Sequence, residues 1–104
     1  MATRSRKSTT LNERTASDIA ELFRALSDTS RVKLIAALTA GEMNVGALAV
    51  ATGVSESAVS HHMRGLRQMR LVHARKEGRQ VFYCLDDAHV ADLYQRGLDH
   101  VQHG

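Results

Sequence analysis

Apolar residues recur at steps of three and four near both ends of the chain, which is the spacing of amphipathic helices. A first helix is predicted over residues 12–26. A second is predicted at Ser27, Asp28 and Thr29, whose side-chain oxygens are suited to capping a helix, with Gly41 closing it. Its expected core stripe is Val32, Leu34, Ile35 and Leu38. The last helix is predicted after Asp86 and Asp87, because acidic residues are favourable at the positive end of a helix dipole.

The middle of the chain contains two further helical segments separated by a short turn. Residues 45–51 are small and apolar and stop at Thr52 and Gly53, which predicts a short packed helix. Ser55 can cap the next helix, which is expected to run to about residue 69. Its predicted buried face consists of Val59, Met63, Leu66 and Met69. Two helices joined in this way are typical of a helix-turn-helix.

Residues 71–76 and 80–85 are short runs rich in β-branched and aromatic side chains, as strands are. Glu77, Gly78 and Arg79 separate the two runs, so we predict a β-hairpin with a strongly basic tip. Residues 41–44 are interpreted as a turn. The sequence therefore predicts a mainly α fold with one small β-hairpin.

The chain has 104 residues, of which 43% are hydrophobic, too large an apolar share for a disordered protein. Residues 1–11 carry Arg4, Arg6 and Lys7 without a hydrophobic period and are interpreted as a flexible basic arm. Residues 12–104 are expected to form one folded domain. Because so short a chain buries only a modest core, we expect it to form a homodimer.

The chain offers no apolar run near the ~20 residues of a membrane span, and its start lacks the apolar core of a secretory signal. A cytoplasmic location without a membrane partner is therefore expected. Cys84 is the single cysteine, which excludes an intrachain disulfide. We interpret Cys84 as a buried structural thiol and His73, on a predicted strand, as a neutral structural residue.

The second helix of the predicted helix-turn-helix is polar at the end that would enter a DNA major groove. Its candidate contacts are Ser55, Ser57, Ser60, His61, Arg64 and Arg67. The basic hairpin that follows adds Arg75, Lys76 and Arg79, placed to contact the phosphate backbone. The alternative is a merely solvated face, which Glu56 favours because phosphate would repel its carboxylate. The order of helix, turn, polar helix and basic hairpin favours binding to double-stranded DNA.

The last helix carries four potential metal ligands, Asp87, His89, His100 and His103. His100 and His103 are three residues apart and share a face, as do His89 and His100, eleven residues apart. That second separation is about 16 Å along a helix, so one helix cannot close a four-ligand site. Two antiparallel helices from two chains would close two identical sites. Three imidazoles and a carboxylate suit Zn(II), or Co(II) as a substitute, whereas Ni(II) usually takes more ligands.

The sequence resembles the ArsR/SmtB family of bacterial winged-helix metal-sensing repressors over residues 12–103. The resemblance is carried by LFRALSD at 22–28 with Arg31, VSESAVSHHM at 54–63, RKEGR at 75–79 and LDDAH at 85–89. It implies a winged helix-turn-helix that dimerises through its first and last helices, and a metal-free dimer that binds an imperfectly palindromic operator. Family members with Asp-x-His and His-x-x-His on the last helix resemble zinc sensors, and Asp87, His89, His100 and His103 match that set. Asn44 stands where the family's other site would place a thiolate.

The resemblance implies a transcriptional repressor that Zn(II) releases from its operator. Two alternatives remain at this point: a repressor that responds to Ni(II) or Co(II), and a DNA-binding dimer in which the metal is only structural. An enzyme is not expected, because no Ser/His/Asp arrangement and no phosphate-cradling loop is visible. A zinc ion with four protein ligands would also leave no position for a reacting water.

Overall fold

The computed structural model describes residues 10–103, so most of the predicted basic arm lies outside the described residues. Along the described part of the chain, five helices and three strands follow one another. Their bounds are α1 Glu13–Ala25, α2 Thr29–Leu38, β1 Met43–Asn44, α3 Val45–Thr52, α4 Glu56–Gln68, β2 Val72–Glu77, β3 Gln80–Leu85 and α5 Ala88–His103. The prediction of a mainly helical fold with a small hairpin is confirmed.

Local side-chain chemistry fixes where the first four helices begin. Each starts after a residue whose side-chain oxygen accepts a hydrogen bond from the backbone N–H three residues later. Such a cap stabilises a helix by about 1 kcal/mol because it satisfies a donor that has no partner inside the helix. The four caps are Asn12, Asp28, Asn44 and Ser55. Ser55 was predicted from sequence, and Asp28 is one of the three residues predicted to cap α2.

The sheet has one strand more than the sequence predicted. Its order is β1-β3-β2 with antiparallel neighbours, and Met43 and Asn44 pair with Tyr83 and Phe82 of β3. The interpretation of residues 41–44 as a turn alone was therefore wrong. A two-residue strand is too short to show an alternating pattern. Its pairing partner also lies about forty residues further along the chain, where no local signal indicates it.

The buried core lies where α2, α3 and α4 meet β2. Leu34, Leu48, Val59, Met63 and Leu66 have no exposed surface. Of the predicted stripe of α2, three residues are buried, whereas Val32 is 39% exposed. Val32 lies instead in an open groove beside α5, so its place in the core of the single chain was predicted wrongly. Within residues 10–103 no helix is long and apolar enough to cross a membrane.

An apolar groove of about 730 Å³ runs between α5 and the pair α1 and α2. Its lining includes Phe23, Leu26, Tyr94, Leu98 and Val101. Phe23 is 54% exposed and Val101 is 78% exposed. Contiguous apolar surface of this kind marks an interaction site more often than a free surface. In the single chain, the apolar faces of α1 and α5 that line this groove thus remain exposed.

Candidate DNA-binding and metal-binding sites

The turn between α3 and α4 is built from Thr52, Gly53 and Val54. Gly53 has a φ of 76°, in the left-handed region that glycine adopts without steric cost. The Thr52 hydroxyl donates to the carbonyl of Leu48 at 2.7 Å and accepts from the backbone N–H of Val54 at 3.2 Å. These bonds set the angle at which α4 leaves α3, and the helix-turn-helix of the sequence analysis is present in the structure.

The buried side of α4 determines which of its side chains face solvent. Val59, Met63 and Leu66 are buried on one face. Ser57, His61 and Arg64 are exposed, and their helical spacing places them opposite that face. Three of the six predicted contacts on this helix therefore form the middle of its outer surface.

The other three predicted contacts of α4 lie in different positions. Ser55 caps the helix, and its hydroxyl oxygen accepts from the N–H of Ala58 at 3.2 Å. Ser60 is half-buried, whereas Arg67 is exposed on the flank of the helix. Gln68, which was not among the predicted contacts, is exposed four residues beyond Arg64 and so extends the outer face.

The hairpin β2–β3 presents free cations close to its turn. Lys76 and Arg79 are exposed, and neither has an acidic partner among residues 10–103. Gly78, with a φ of 61°, permits the tight turn between them. Both side chains are therefore available to a phosphate.

Arg75 differs from the other two basic residues predicted for this hairpin. Its Nε and Nη2 donate to the two carboxylate oxygens of Glu42 at 2.9 and 2.8 Å, and its Nη1 donates to Glu77 at 2.6 Å. The guanidinium also stacks over Phe82, 4.9 Å from the ring centre. Hydrogen bonds to Glu42 and then Glu77 raise the pKa of Arg75, and the hydrogen bond from Arg75 lowers the pKa of Glu42. This geometry favours a role for Arg75 in anchoring the hairpin, since two carboxylates already balance its charge.

The four predicted metal ligands lie at the two ends of α5. Asp87 precedes the helix, and its Oδ1 accepts from the backbone N–H of His89 at 2.9 Å. The side chain of His89 is 92% exposed. At the far end, His100 borders the apolar groove, and Nδ1 of His103 lies 2.9 Å from the carbonyl oxygen of Asp99. This contact occupies Nδ1, so Nε2 is the ring nitrogen of His103 that could bind a metal.

A single chain does not assemble the predicted site. Among residues 10–103, no three His, Cys, Asp or Glu side chains stand close enough together to hold a metal ion. This agrees with the helix length argued from sequence, which separates the Asp87 and His89 pair from the His100 and His103 pair. The donor chemistry fits zinc, because imidazole nitrogen and carboxylate oxygen are ordinary zinc ligands.

The single cysteine lies on the sheet rather than near α5. Cys84 and His73 face each other across β3 and β2, with Sγ 2.8 Å from Nε2. His73 Nδ1 is 3.5 Å from a carboxylate oxygen of Asp86. Burial is the largest cause that raises the pKa of the Cys84 thiol, followed by the negative charges of Glu42 and Asp86. Cys84 is half-buried rather than fully buried as predicted, and its environment favours the neutral thiol.

Comparison with known proteins identifies the family of this chain. The model of the family described as "Bacterial regulatory protein, arsR family" matches residues 28–74, from the start of α2 into β2. A curated relative from Synechocystis, the "Transcriptional repressor SmtB homolog", is 52% identical over 87 residues, which cover 84% of this chain. The chain belongs to the ArsR family. The matched region spans 66% of that relative's own length, just under two thirds.

Solved structures of ArsR-type regulators share the fold. The crystal structure of the AntR antimony-specific transcriptional repressor has a TM-score of 0.84 and 27% identity, covering 99% of this chain and 95% of that one. The homodimeric winged helix-turn-helix domain Mb0332 from Mycobacterium bovis, a possible ArsR-family regulator, has a TM-score of 0.76 and 30% identity. Coverage in that match is 93% of this chain and 96% of the other. The predicted winged helix-turn-helix is confirmed. The family and the curated relative are described as regulatory proteins, in agreement with the expectation that the chain is not an enzyme.

Proposed function

We propose that this ArsR protein is a metal-responsive transcriptional repressor whose metal-free homodimer binds operator DNA and is released when Zn(II) binds between its two α5 helices. The observation that carries the proposal is the division of the ligand set: two potential ligands lie at each end of α5, beside an apolar groove that a single chain leaves open. The protein would act in the cytoplasm, where its operator is accessible.

The DNA-binding part of the proposal rests on the outer face of α4. Ser57, His61 and Arg64 would face base edges when α4 enters the major groove, since short polar side chains and arginine can bond there. Lys76 and Arg79 would contact the phosphates beside that groove, where they add affinity that depends on salt but not on sequence.

The dimer rests on the groove along α5. A second protomer that packs α1 and α5 against the same surface would cover Phe23 and Val101, which are otherwise exposed. Gly97 lines the groove, and no heavy atom lies within 4 Å of where its Cβ would stand, so another chain can approach closely there. The homodimeric state of the Mb0332 domain supports a homodimer for this chain.

The choice of metal rests on donor chemistry. Three imidazoles and one carboxylate suit Zn(II), while soft ions prefer thiolates. This chain has only one cysteine to supply a thiolate, and that cysteine lies on β3. Asn44, at the position where the resemblance would place a thiolate, instead caps α3 and donates to Gln80. The structural neighbour AntR is described as antimony-specific, so the ion for this chain is inferred from its own donor set. Co(II) and Ni(II) are the alternative ions for the α5 site.

Release from DNA follows from linkage between the two sites. When bound, the metal supplies bonds that hold the two α5 helices in one relative position. Asp87 and His89 of one protomer would bind opposite His100 and His103 of its partner, which favours the dimer geometry that brings these side chains together. If that geometry separates the two α4 helices from their half-sites, metal and operator weaken each other's binding by the same factor.

The experiment is a titration of the purified protein into a fluorescent fragment of its own upstream DNA, at one salt concentration, with chelator and then with Zn(II). We expect tight binding that zinc weakens by about tenfold or more. The variants His103→Gln and Asp87→Asn should remain bound to the operator when Zn(II) is added. Asp92→Asn, which changes an exposed acid of the same helix, should be released as the wild type is.

Operator binding that is indifferent to zinc would contradict release by zinc. The same titration with Co(II) and Ni(II) then distinguishes a different inducing metal from a structural one. A structural metal is indicated if all three ions bind the protein but none changes operator affinity.

A further inference from the structure

Arg31, at the start of α2, makes contacts that neither DNA binding nor metal binding explains. Its Nε donates to Nδ1 of His62 at 3.2 Å, and its Nη1 donates to the carbonyl oxygen of Ala25 at 3.3 Å. Its Nη2 lies over Gly65, 3.6 Å from the position a Cβ would take there. One planar guanidinium thus joins the end of α1 and the middle of α4 to α2.

Both hydrogen bonds of the Arg31 guanidinium have a physical reason to persist. Ala25 ends α1, so its carbonyl has no partner inside the helix and accepts readily from a cation. His62 is largely buried, with 16% of its side chain exposed, and an acceptor in such a place is costly to leave unpaired. The backbone N–H of Arg31 is itself held by Asp28 at 3.0 Å, which fixes the base of the side chain.

His62 is turned away from the outer face of α4. Its Nδ1 accepts from Arg31, and its Nε2 lies 3.7 Å from the carboxylate of Asp28. Both ring nitrogens therefore face the start of α2, while the neighbouring His61 is exposed on the side where DNA would bind. The two adjacent histidines have separate roles.

We propose that Arg31 is a positioning residue that fixes the recognition helix α4 to α1 and α2, and thereby sets the separation of the two recognition helices in the dimer. The inference rests on the proposed function, in which α1 and α5 form the dimer surface. Two half-sites one DNA turn apart, about 34 Å, can be bound together only if that separation matches. A residue that joins the dimer surface to α4 therefore determines binding to the pair of half-sites.

This role requires the forked shape of arginine. Nε and Nη1 bond two acceptors on two different helices at once. Lysine keeps the charge but presents it as a single point, so it cannot reproduce both bonds in fixed geometry. Arg31→Lys consequently tests the positioning role with little change in net charge.

The test compares the affinity of the metal-free dimer for a full operator with its affinity for a fragment that holds one half-site. For Arg31→Lys we expect about tenfold weaker binding to the full operator and a change within about twofold on the half-site. Arg24→Lys, an exposed arginine of α1 that pairs with Glu21, is the matched control and should leave both affinities unchanged. The thermal midpoint and the dimeric state of each variant are measured alongside.

A second pair of variants keeps the test decisive if Arg31→Lys does not fold. His62→Gln retains an acceptor for Arg31 and should bind the full operator nearly as the wild type does. His62→Leu removes the acceptor and should lose full-operator affinity selectively. Equal losses on both fragments, which a merely local structural role would give, or no loss in His62→Leu would overturn the inference.

The wild-type protein separates this inference from the proposed function. If metal-free wild type does not distinguish operator from unrelated DNA, both are overturned. If wild type binds the operator and zinc releases it, while Arg31→Lys and His62→Leu match it on both fragments, only the positioning role is wrong.

Discussion

Helices α4 and α5 are both amphipathic, yet they use their apolar faces differently. The apolar face of α4 is buried within its own chain, with Val59, Met63 and Leu66 fully covered. In α5 only Val90 is buried, and Val101 remains 78% exposed. Each protomer therefore carries its own proposed DNA-contacting face, whereas the predicted metal ligands of α5 would come together only in a pair of protomers.

The largest effect is expected from the core of α4. Met63→Ala should lower the free energy of unfolding by about 2–5 kcal/mol, because it removes a fully buried side chain and leaves a cavity. Urea denaturation at fixed protein concentration measures the change. His61→Ala, on the exposed face of the same helix, should stay within about 0.5 kcal/mol of the wild type. Equal losses in the two variants would contradict the assignment of the two faces.

A smaller effect, on association rather than folding, is expected from α5. Val101→Asp should weaken the dimer by about 2 kcal/mol, or roughly 30-fold in dissociation constant, since the partner would have to cover a charge. Sedimentation equilibrium measures it. Val50→Asp is the matched control, because Val50 is an exposed valine of α3 outside the groove. A dimer that Val50→Asp weakens as much as Val101→Asp does would place the interface elsewhere.

The smallest effect separates two arginines of the hairpin. Arg79→Ala should make the negative slope of log affinity against log salt shallower by about 0.9, the value for one lost phosphate contact. Arg75→Ala should change that slope less, because Glu42 and Glu77 already pair with its guanidinium. Operator titrations at several salt concentrations compare the two. A larger slope change for Arg75→Ala would show that Arg75 leaves its carboxylates on binding DNA.

Features of the fold that depend on neighbouring residues could be predicted from the sequence. Asp28 and Ser55 cap helices through bonds to residues three positions away, and the left-handed turn at Gly53 needs no distant contact. The pairing of β1 with β3 and the bond from Arg75 to Glu42 join segments more than thirty residues apart. No periodicity signals such contacts, so the third strand and the pairing of Arg75 emerged only in three dimensions.

The candidate sites divide in the same way. The exposure of His61 and Arg64 follows from helical periodicity, since a buried face at Val59 and Met63 implies an outer one. The exposure of Val32 did not follow, because an apolar stripe does not indicate whether its own chain or another covers it. The contacts of Arg31 likewise required the position of α4 against α1 and α2.

The central claim, that two chains build each metal site, is tested most directly by mixing two inactive variants. One carries Asp87→Asn with His89→Gln, and the other carries His100→Gln with His103→Gln. Zinc binding is measured by competition with a chromophoric chelator, for each variant alone and after the two are mixed and allowed to exchange protomers. We predict that neither homodimer binds zinc tightly and that each mixed dimer regains one complete site. Tight binding by either homodimer, or no recovery once mixed dimers have formed, would contradict a site shared between protomers.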